Sequence, residues 1–559
     1  MPSSSSRTSL TPREFQELSP AAQFQHLLQV DAPRKAALLL EAKNGSALMA
    51  ALPVQEAYLM VKALGPDQVP ELLALAGPEQ WTGFFDFECW TGDRLDAGRA
   101  RTWVALLLQT DEMQMIATLQ QMNFELLILL IKKEVRVLAG PETIEDDDAR
   151  VEAVRRDGGY QLDYRDEDGA KLYGALLDRL ANADPEFFRY LMESVRAESE
   201  SLIEESVFQQ RGGRLLDLGF PEPFAAREIY ARLDPATFRS EEHRKYPLGL
   251  AERTLPPGFP LMLARPEGLL KDILAAGLDG AGAWELASLV NKVAMADRID
   301  IGDVGAVRDV IQKTCGLLNL GLEYLVAGDA DTAGRLFRDV YSEHLFRLGF
   351  SLTQDLQRRA QALADSTIGP YLDPPLRAFL EPLLEAAPRY YTGLEPEGSA
   401  EKRWFQSLGD IRLCREWLDH LEVQRRLFED HFHFTLASAE EYDLEGQPLP
   451  AGDDQSLSEI FLTALANRLL GRDFRPQPLG GAELSELHQQ VCRNGQLRTE
   501  LVEETLSWLE TLEEGGCAFG EYCLTFWQET LCPVPAGEIN PRYIAGILVK
   551  AGPGTPERD

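Results

Sequence analysis

Leu18-Ser19-Pro20-Ala21-Ala22 and Leu64-Gly65-Pro66-Asp67-Gln68 share one construction: a small or polar residue, a proline, then a run of helix formers. The device recurs at Pro20, Pro33, Pro53, Pro66 and Pro78, with gaps of 13, 20, 13 and 12 residues. Proline suits the first turn of a helix, where its missing N–H would have no intrahelical partner. The beat therefore predicts short helices packed as αα-hairpins over 11–140, stacked into a superhelix. Asn123 is placed to cap a helix with Leu127, Leu130, Ile131 and Leu138 on one face, ended by Gly140-Pro141.

Further along, the pattern stays helical with one exception. Tyr160-Gln161-Leu162-Asp163-Tyr164 alternates, and Asp157-Gly158-Gly159 precedes it, which predicts a small β-hairpin near 151–166. Before it, five carboxylates in the seven residues Glu142–Asp148 read as a solvated linker. Asp184-Pro185 and Asp234-Pro235 read as helix starts, and 240–268, with five prolines, as an ordered loop or junction. Residues 303–325 carry Val307, Ile311, Cys315, Leu318, Leu322 and Leu325 on one face of a strong helix. Asp329 opens the next helix, which runs through Ala333, Leu336, Phe337 and Tyr341. Helices are also expected around Trp404–Phe428 and over 456–471 and 481–514. The expectation is an all-α chain: tails at 1–10 and 552–559, a short-helix domain at 11–140, a linker with hairpin at 141–170, and helical domains at 171–391 and 401–551.

A chain of 559 residues is too long for one core. Asp and Glu outnumber Lys and Arg by 90 to 55, and the net charge of −35 repels nucleic-acid backbones and anionic lipid surfaces. The longest apolar run, Leu126–Ile131, has 6 residues, where a membrane span needs about 20. Met1–Leu10 has no apolar stretch of the kind that starts a secretory signal. Seven cysteines, odd in number and mostly scattered, argue against a disulfide framework and for a reducing cytoplasm.

Four clusters are candidates for chemistry. Trp81, Phe84, Phe85, Phe87 and Trp90 crowd together with Asp86, Glu88 and Asp93 between them. They form either a binding groove with carboxylates at its rim or a buried corner between helices, and the glycines at 83 and 92 favour the corner. Cys517, Cys523 and Cys532, with His488 and Cys492 upstream, lack the tight knuckle of a zinc site and read as buried thiols beside Phe526 and Trp527. Asp419-His420 and Asp430-His431-Phe432-His433 could offer ligands, but His431 and His433 diverge on a helix. Asp297–Asp303 is acidic but lacks the order of a calcium loop, and reads as a helix start. No phosphate-binding loop, nucleophile elbow or zinc-hydrolase motif occurs. No catalytic, cofactor-binding or metal residue is therefore assigned, and no cofactor. The expected role is a cytoplasmic interaction or regulatory protein, with another protein as partner, no nucleic acid and no membrane insertion. The alternative is an enzyme using carboxylates near Asp86 and Glu88 or the histidines at 431 and 433.

The cadence Leu18–Ala22, Leu52-Pro53-Val54-Gln55-Glu56-Ala57 and Leu64–Val69 resembles the cytosolic N-terminal domain of MgtE-type magnesium transporters. That resemblance implies a superhelix of short helices and carries over no ligand residue. Asp86-Phe87-Glu88-Cys89-Trp90, Gly219-Phe220-Pro221-Glu222-Pro223, Asn291–Asp297 and Ala464–Leu470 resemble an uncharacterised family of large helical bacterial proteins. This second resemblance implies fold and bacterial origin and no mechanism.

Overall fold

The computed structural model describes residues 10–139, 159–246, 265–326, 329–395, 398–434, 436, 455–536, 538–539 and 544–549. It is mostly helix, and the sheets among these residues are four antiparallel pairs of short strands. The chain divides into two compact units, residues 1–349 and 350–559, and the division falls within the helix Ser342–Ala364.

The proline beat produces short helices: Pro12–Glu17, Pro20–Leu27, Ala32–Glu41, Gly45–Ala51, Val54–Leu64, Pro70–Leu73 and Pro78–Glu88. Pro20, Pro33 and Pro78 stand in first turns, Pro66 opens a 3-10 turn, and Pro53 stands as the N-cap of Val54–Leu64. The hydroxyls of Thr11 and Ser19 and the carboxylate of Asp31 accept first-turn N–H groups, supplying partners the helix itself lacks. Buried polar side chains join successive helices. Gln80 donates to the carbonyl oxygens of Met49 and Leu52, at 2.6 and 3.1 Å, and Lys35 pairs with Glu56. Gly83 lets Val54 pack where a Cβ would otherwise stand.

Asn123 caps the helix Phe124–Lys132, its side chain accepting from the Leu126 N–H at 2.9 Å. That helix ends eight residues short of Gly140. Val135–Ala139 is a strand and Leu138 is about half exposed, so the apolar face predicted through Leu138 stops at Ile131. This strand pairs with Gln161–Tyr164 in the register Val135↔Tyr164 and Arg136↔Asp163. The alternating segment is thus a strand, but its partner lies upstream of the acidic linker; residues 140–158, including the proposed turn at Asp157-Gly158, lie outside the described residues.

Asp184 caps Pro185–Ala197 as expected, its carboxylate accepting from Phe187, whereas Asp234-Pro235 opens only a turn. The turn follows because the Asp234 carboxylate accepts from Ala236 N–H, two residues on, a local bond that competes with a helix. The helix Val304–Val326 buries Val307, Ile311, Cys315, Leu318 and Leu322. It crosses Ser342–Ala364 where Gly321 and Gly349 face the backbone carbonyls of Leu345 and Leu317, so a side chain at either glycine would block the approach. A reciprocal amide pair, Gln55 with Asn291 at 2.9 and 3.0 Å, ties the early helices to Gly280–Asp297 across 236 positions.

One device occurs in both units. In the first, the 11-residue helix Pro78–Glu88 leads into the strands Trp90–Thr91 and Arg94–Leu95, then the helix Ala97–Leu107. In the second, the 11-residue helix Gly481–Val491 leads into Cys492–Arg493 and Gln496–Leu497, then Thr499–Leu512. This hairpin interrupts what the sequence suggested as one helical stretch over 481–514. Each hairpin is closed alike: Asp96 N–H donates to the Cys89 carbonyl at 2.8 Å, and Arg498 N–H to the Val491 carbonyl at 2.9 Å. Each is also held from outside by a side-chain oxygen: Glu204 accepts from Leu95 N–H and Gln528 from Leu497 N–H, both at 2.9 Å.

Candidate interaction surface

The five rings at 81–90 are core. Trp81, Phe84, Phe85, Phe87 and Trp90 are all buried. Trp81 meets Trp103 edge-on with centroids 6.2 Å apart, Phe87 meets Tyr58 at 5.0 Å and Phe220 at 5.7 Å, and Trp90 meets Phe208 at 5.8 Å. The carboxylates between the rings do not converge. Asp86 points inward, Glu88 accepts from Tyr58 Oη at 2.6 Å and Lys62 Nζ at 3.1 Å, and Asp93 stands exposed in the hairpin turn. The cluster is therefore the corner, and the question becomes what it holds.

It holds the helix Glu200–Asp217. Arg214 donates to both oxygens of Asp86, Nε to Oδ2 at 2.6 Å and Nη2 to Oδ1 at 2.9 Å. Arg211 donates to the Asp86 carbonyl oxygen at 2.8 Å and lies over the Trp90 ring, 5.4 Å from its centroid. Burial pushes the Asp86 carboxyl up, with Arg214 and then Arg211 opposing that rise, and burial pulls the Arg211 guanidinium down. Lys133 bridges Glu200 and Glu204 at 2.9 and 2.8 Å, and Asn123 donates to Gln210 at 2.8 Å. Ile203, Val207 and Leu215 fill the apolar seam. The helix ends in a Schellman turn: Phe220 N–H donates to the Leu215 carbonyl and Gly219 N–H to the Leu216 carbonyl, with Gly219 at φ +82°.

The opposite face of this helix is open. Leu202, Glu205, Gln209, Gly212, Gly213 and Leu216 fall within about a third of a turn of one another at helical spacing. Leu202 is 70% exposed and Leu216 62%; just beyond the turn Phe224 is 86% exposed. A Cβ added at Gly212 or Gly213 would meet nothing within 4 Å. Mid-helix glycine costs about 1 kcal/mol relative to alanine. At Gly83, Gly321 and Gly349 a close neighbour explains that cost, and at Gly212 and Gly213 no neighbour among the described residues does.

Beside the inner end of the helix lies a polar cleft of about 780 Å³, lined by Asp96, Arg101, Lys133, Glu134, Arg165, Asp166 and Glu200 among others. Arg101 pairs with Glu134 and with Asp166, at 2.6 Å to the latter, and Lys133 is held as described. Most of its charges thus neutralise one another, and its walls are structural ion pairs.

The remaining candidates are dispersed. His431 stands in a π-helical turn, Leu427–Phe432, with Nε2 3.5 Å from Glu513, while His433 follows at φ +52° and is exposed. Cys523 is a buried thiol and Cys517 sits near Glu510. Cys532 is not a thiol: it is bonded to Cys492, with Cα atoms 5.4 Å apart, because the second hairpin lies against the turn Trp527–Leu531. In Asp297–Asp303, Asp300 accepts from Gly302 N–H and Asp303 from the N–H groups of Gly305 and Ala306, a turn followed by a helix start. Among the described residues no three His, Cys, Asp or Glu are grouped to hold a metal, and no single helix is long and apolar enough to cross a membrane.

What the fold and this surface define is a large helical protein built from short capped helices. The chain belongs to the family described as "Family of unknown function (DUF6178)", whose match covers residues 12–550. No curated protein and no solved structure matches it.

Proposed function

We propose that this chain is a protein-binding or regulatory scaffold, and that the outer face of the helix Glu200–Asp217 is a contact surface for another protein. One observation carries the reading: a helix fastened along its inner face leaves outward two large apolar side chains and two glycines that nothing among the described residues requires. Such a face gains free energy only when something covers it. The resemblance of the first part of the chain to a transporter's cytosolic domain fits a helical stack that presents surfaces. The five free cysteines favour a reducing compartment and the Cys492–Cys532 disulfide stands against one; on the free thiols, four of them buried, we place the protein in the cytoplasm.

The test is photo-crosslinking in the source cell. A benzophenone amino acid replaces Leu216 in one strain and Met113, which is 81% exposed elsewhere in the same unit, in another. The reading expects a discrete adduct from position 216 and none of the same mass from 113. No adduct at 216, or the same adduct from both positions, overturns it.

A further inference from the structure

We infer that the partner element is a positively charged amphipathic α-helix, crossing the helix Glu200–Asp217 at Gly212-Gly213; this rests on reading that face as a contact surface. Three observations select this occupant. The first is spacing. Leu202, Gln209 and Leu216 recur every seven residues, with Glu205 and Gly212 three residues after the first two. These positions share the spacing of a helix-packing seam, apolar at its two ends, Leu202 and Leu216, and polar or glycine between them. The second is closeness. Side chains at a crossing set the distance between helix axes, and at Gly212 and Gly213 there are none, so a second backbone can come as near as at Gly321 and Gly349. The third is charge. The helix has two basic residues, Arg211 and Arg214, and both are turned inward onto Trp90 and Asp86. Its outward ionisable groups are acidic: Glu205, hydrogen-bonded to Gln209 at 2.7 Å, and Asp217, with Glu198 and Glu222 exposed just beyond its ends.

A second copy of this chain would bring the same acids to the same place, and like charges set against each other oppose docking. A partner strand would need an open sheet edge, and this face is helix. A helix with Leu along one side and Lys or Arg along its flanks meets all three conditions: its apolar stripe covers Leu202 and Leu216, its backbone enters over the glycines, and its cations face the acids at the rim.

The experiment uses the full chain and three fluorescent synthetic peptides, read by anisotropy. One is a Leu/Lys heptad helix, the second has the same composition in scrambled order, and the third is a Leu/Glu heptad helix. The ordered Leu/Lys peptide is expected to bind and the other two are not. Gly212→Ala with Gly213→Ala should weaken it by about tenfold or more while the protein keeps its circular dichroism, and Glu205→Gln with Glu222→Gln should weaken it and flatten its dependence on salt. Equal binding by the scrambled peptide, an unchanged affinity in the glycine variant, or no binding by any peptide overturns the inference. If the Leu/Glu helix binds as well as the Leu/Lys helix and the glycine variant weakens both, the charge class is wrong. If crosslinks from position 216 persist while no helical peptide responds to these variants, the helical partner is wrong and the contact surface stands. If those crosslinks are absent, the contact surface itself falls.

Discussion

Arg214 and Asp86, 128 positions apart, meet through two parallel hydrogen bonds of 2.6 and 2.9 Å, and Asp86 lies almost wholly out of water. The pair fastens the helix Glu200–Asp217 to the aromatic corner. Burial holds the Asp86 carboxyl above its ordinary range and Arg214 partly restores it. A carboxyl raised by folding contributes stability at low pH that is lost as pH rises through its folded value. Arg214→Met removes the opposing charge and enlarges that loss. We expect a cost of about 3 kcal/mol at neutral pH, the low end for breaking a buried pair because Arg214 keeps some surface in water, and a smaller cost in acid. Urea unfolding at both pH values measures it; an equal cost at both contradicts the assignment.

Trp90 is the second fastening. It is buried, it contacts Phe208, and Arg211 lies over it. Trp90→Ala should cost roughly 3–5 kcal/mol, the range for truncating a large ring in a core. A variant as stable as the parent in denaturant titration would return the cluster to the groove reading.

His344 supplies a pH dependence of opposite sign. Its ring lies 4.2 Å from that of His243, near Tyr341, with Glu343, Arg347 and Lys292 as its charged neighbours. Burial first, then His243 and Arg347, lower its pKa below 6.5. A lowered histidine contributes stability that is present above its unfolded value and lost as pH falls through the folded one. His26 is lowered as well, by burial and Arg34. His344→Gln should therefore reduce, without abolishing, the fall in stability as pH drops below about 6.5. Melting temperatures across that window would show it, and an unaltered slope would remove His344 from the account.

The disulfide Cys492–Cys532 closes a loop with a sequence separation of 40. Loop entropy sets the expected loss on removing it at about 3–4 kcal/mol. Cys492→Ser with Cys532→Ser, or reduction of the parent, should lower the unfolding midpoint of residues 350–559 and leave that of residues 1–349 in place. Equal shifts in both would show that the bond does not act locally.

Much of the fold is legible before folding. The caps at Thr11, Ser19, Asp31, Asn123 and Asp184 and the first-turn prolines mark helix starts, because the orphan N–H groups demand those side chains. The strand Val135–Ala139 is hidden because Leu126–Ile131 is apolar on every side, which blurs where its period ends. Two-residue strands such as Cys492–Arg493 carry too little alternation to register, although Asn494-Gly495 is a strong hairpin turn. The open face of Glu200–Asp217 was hidden for another reason. Period alone cannot say which side of Glu200–Asp217 is buried; that depends on Asp86 and Trp90, more than a hundred residues upstream. The mid-helix pair Gly212-Gly213 was the visible signal, since glycine inside a helix costs stability relative to alanine.

The central claim is that Gly212 and Gly213 are kept for a partner. The direct measurement is the double variant Gly212→Ala, Gly213→Ala, scored for melting temperature and for crosslink yield from position 216 in the same strain. Two alanines entering open space on an existing helix should raise stability by about 1–2 kcal/mol in all. The account predicts that rise together with a fall in crosslink yield of about tenfold. A more stable protein whose crosslinks are undiminished would contradict it.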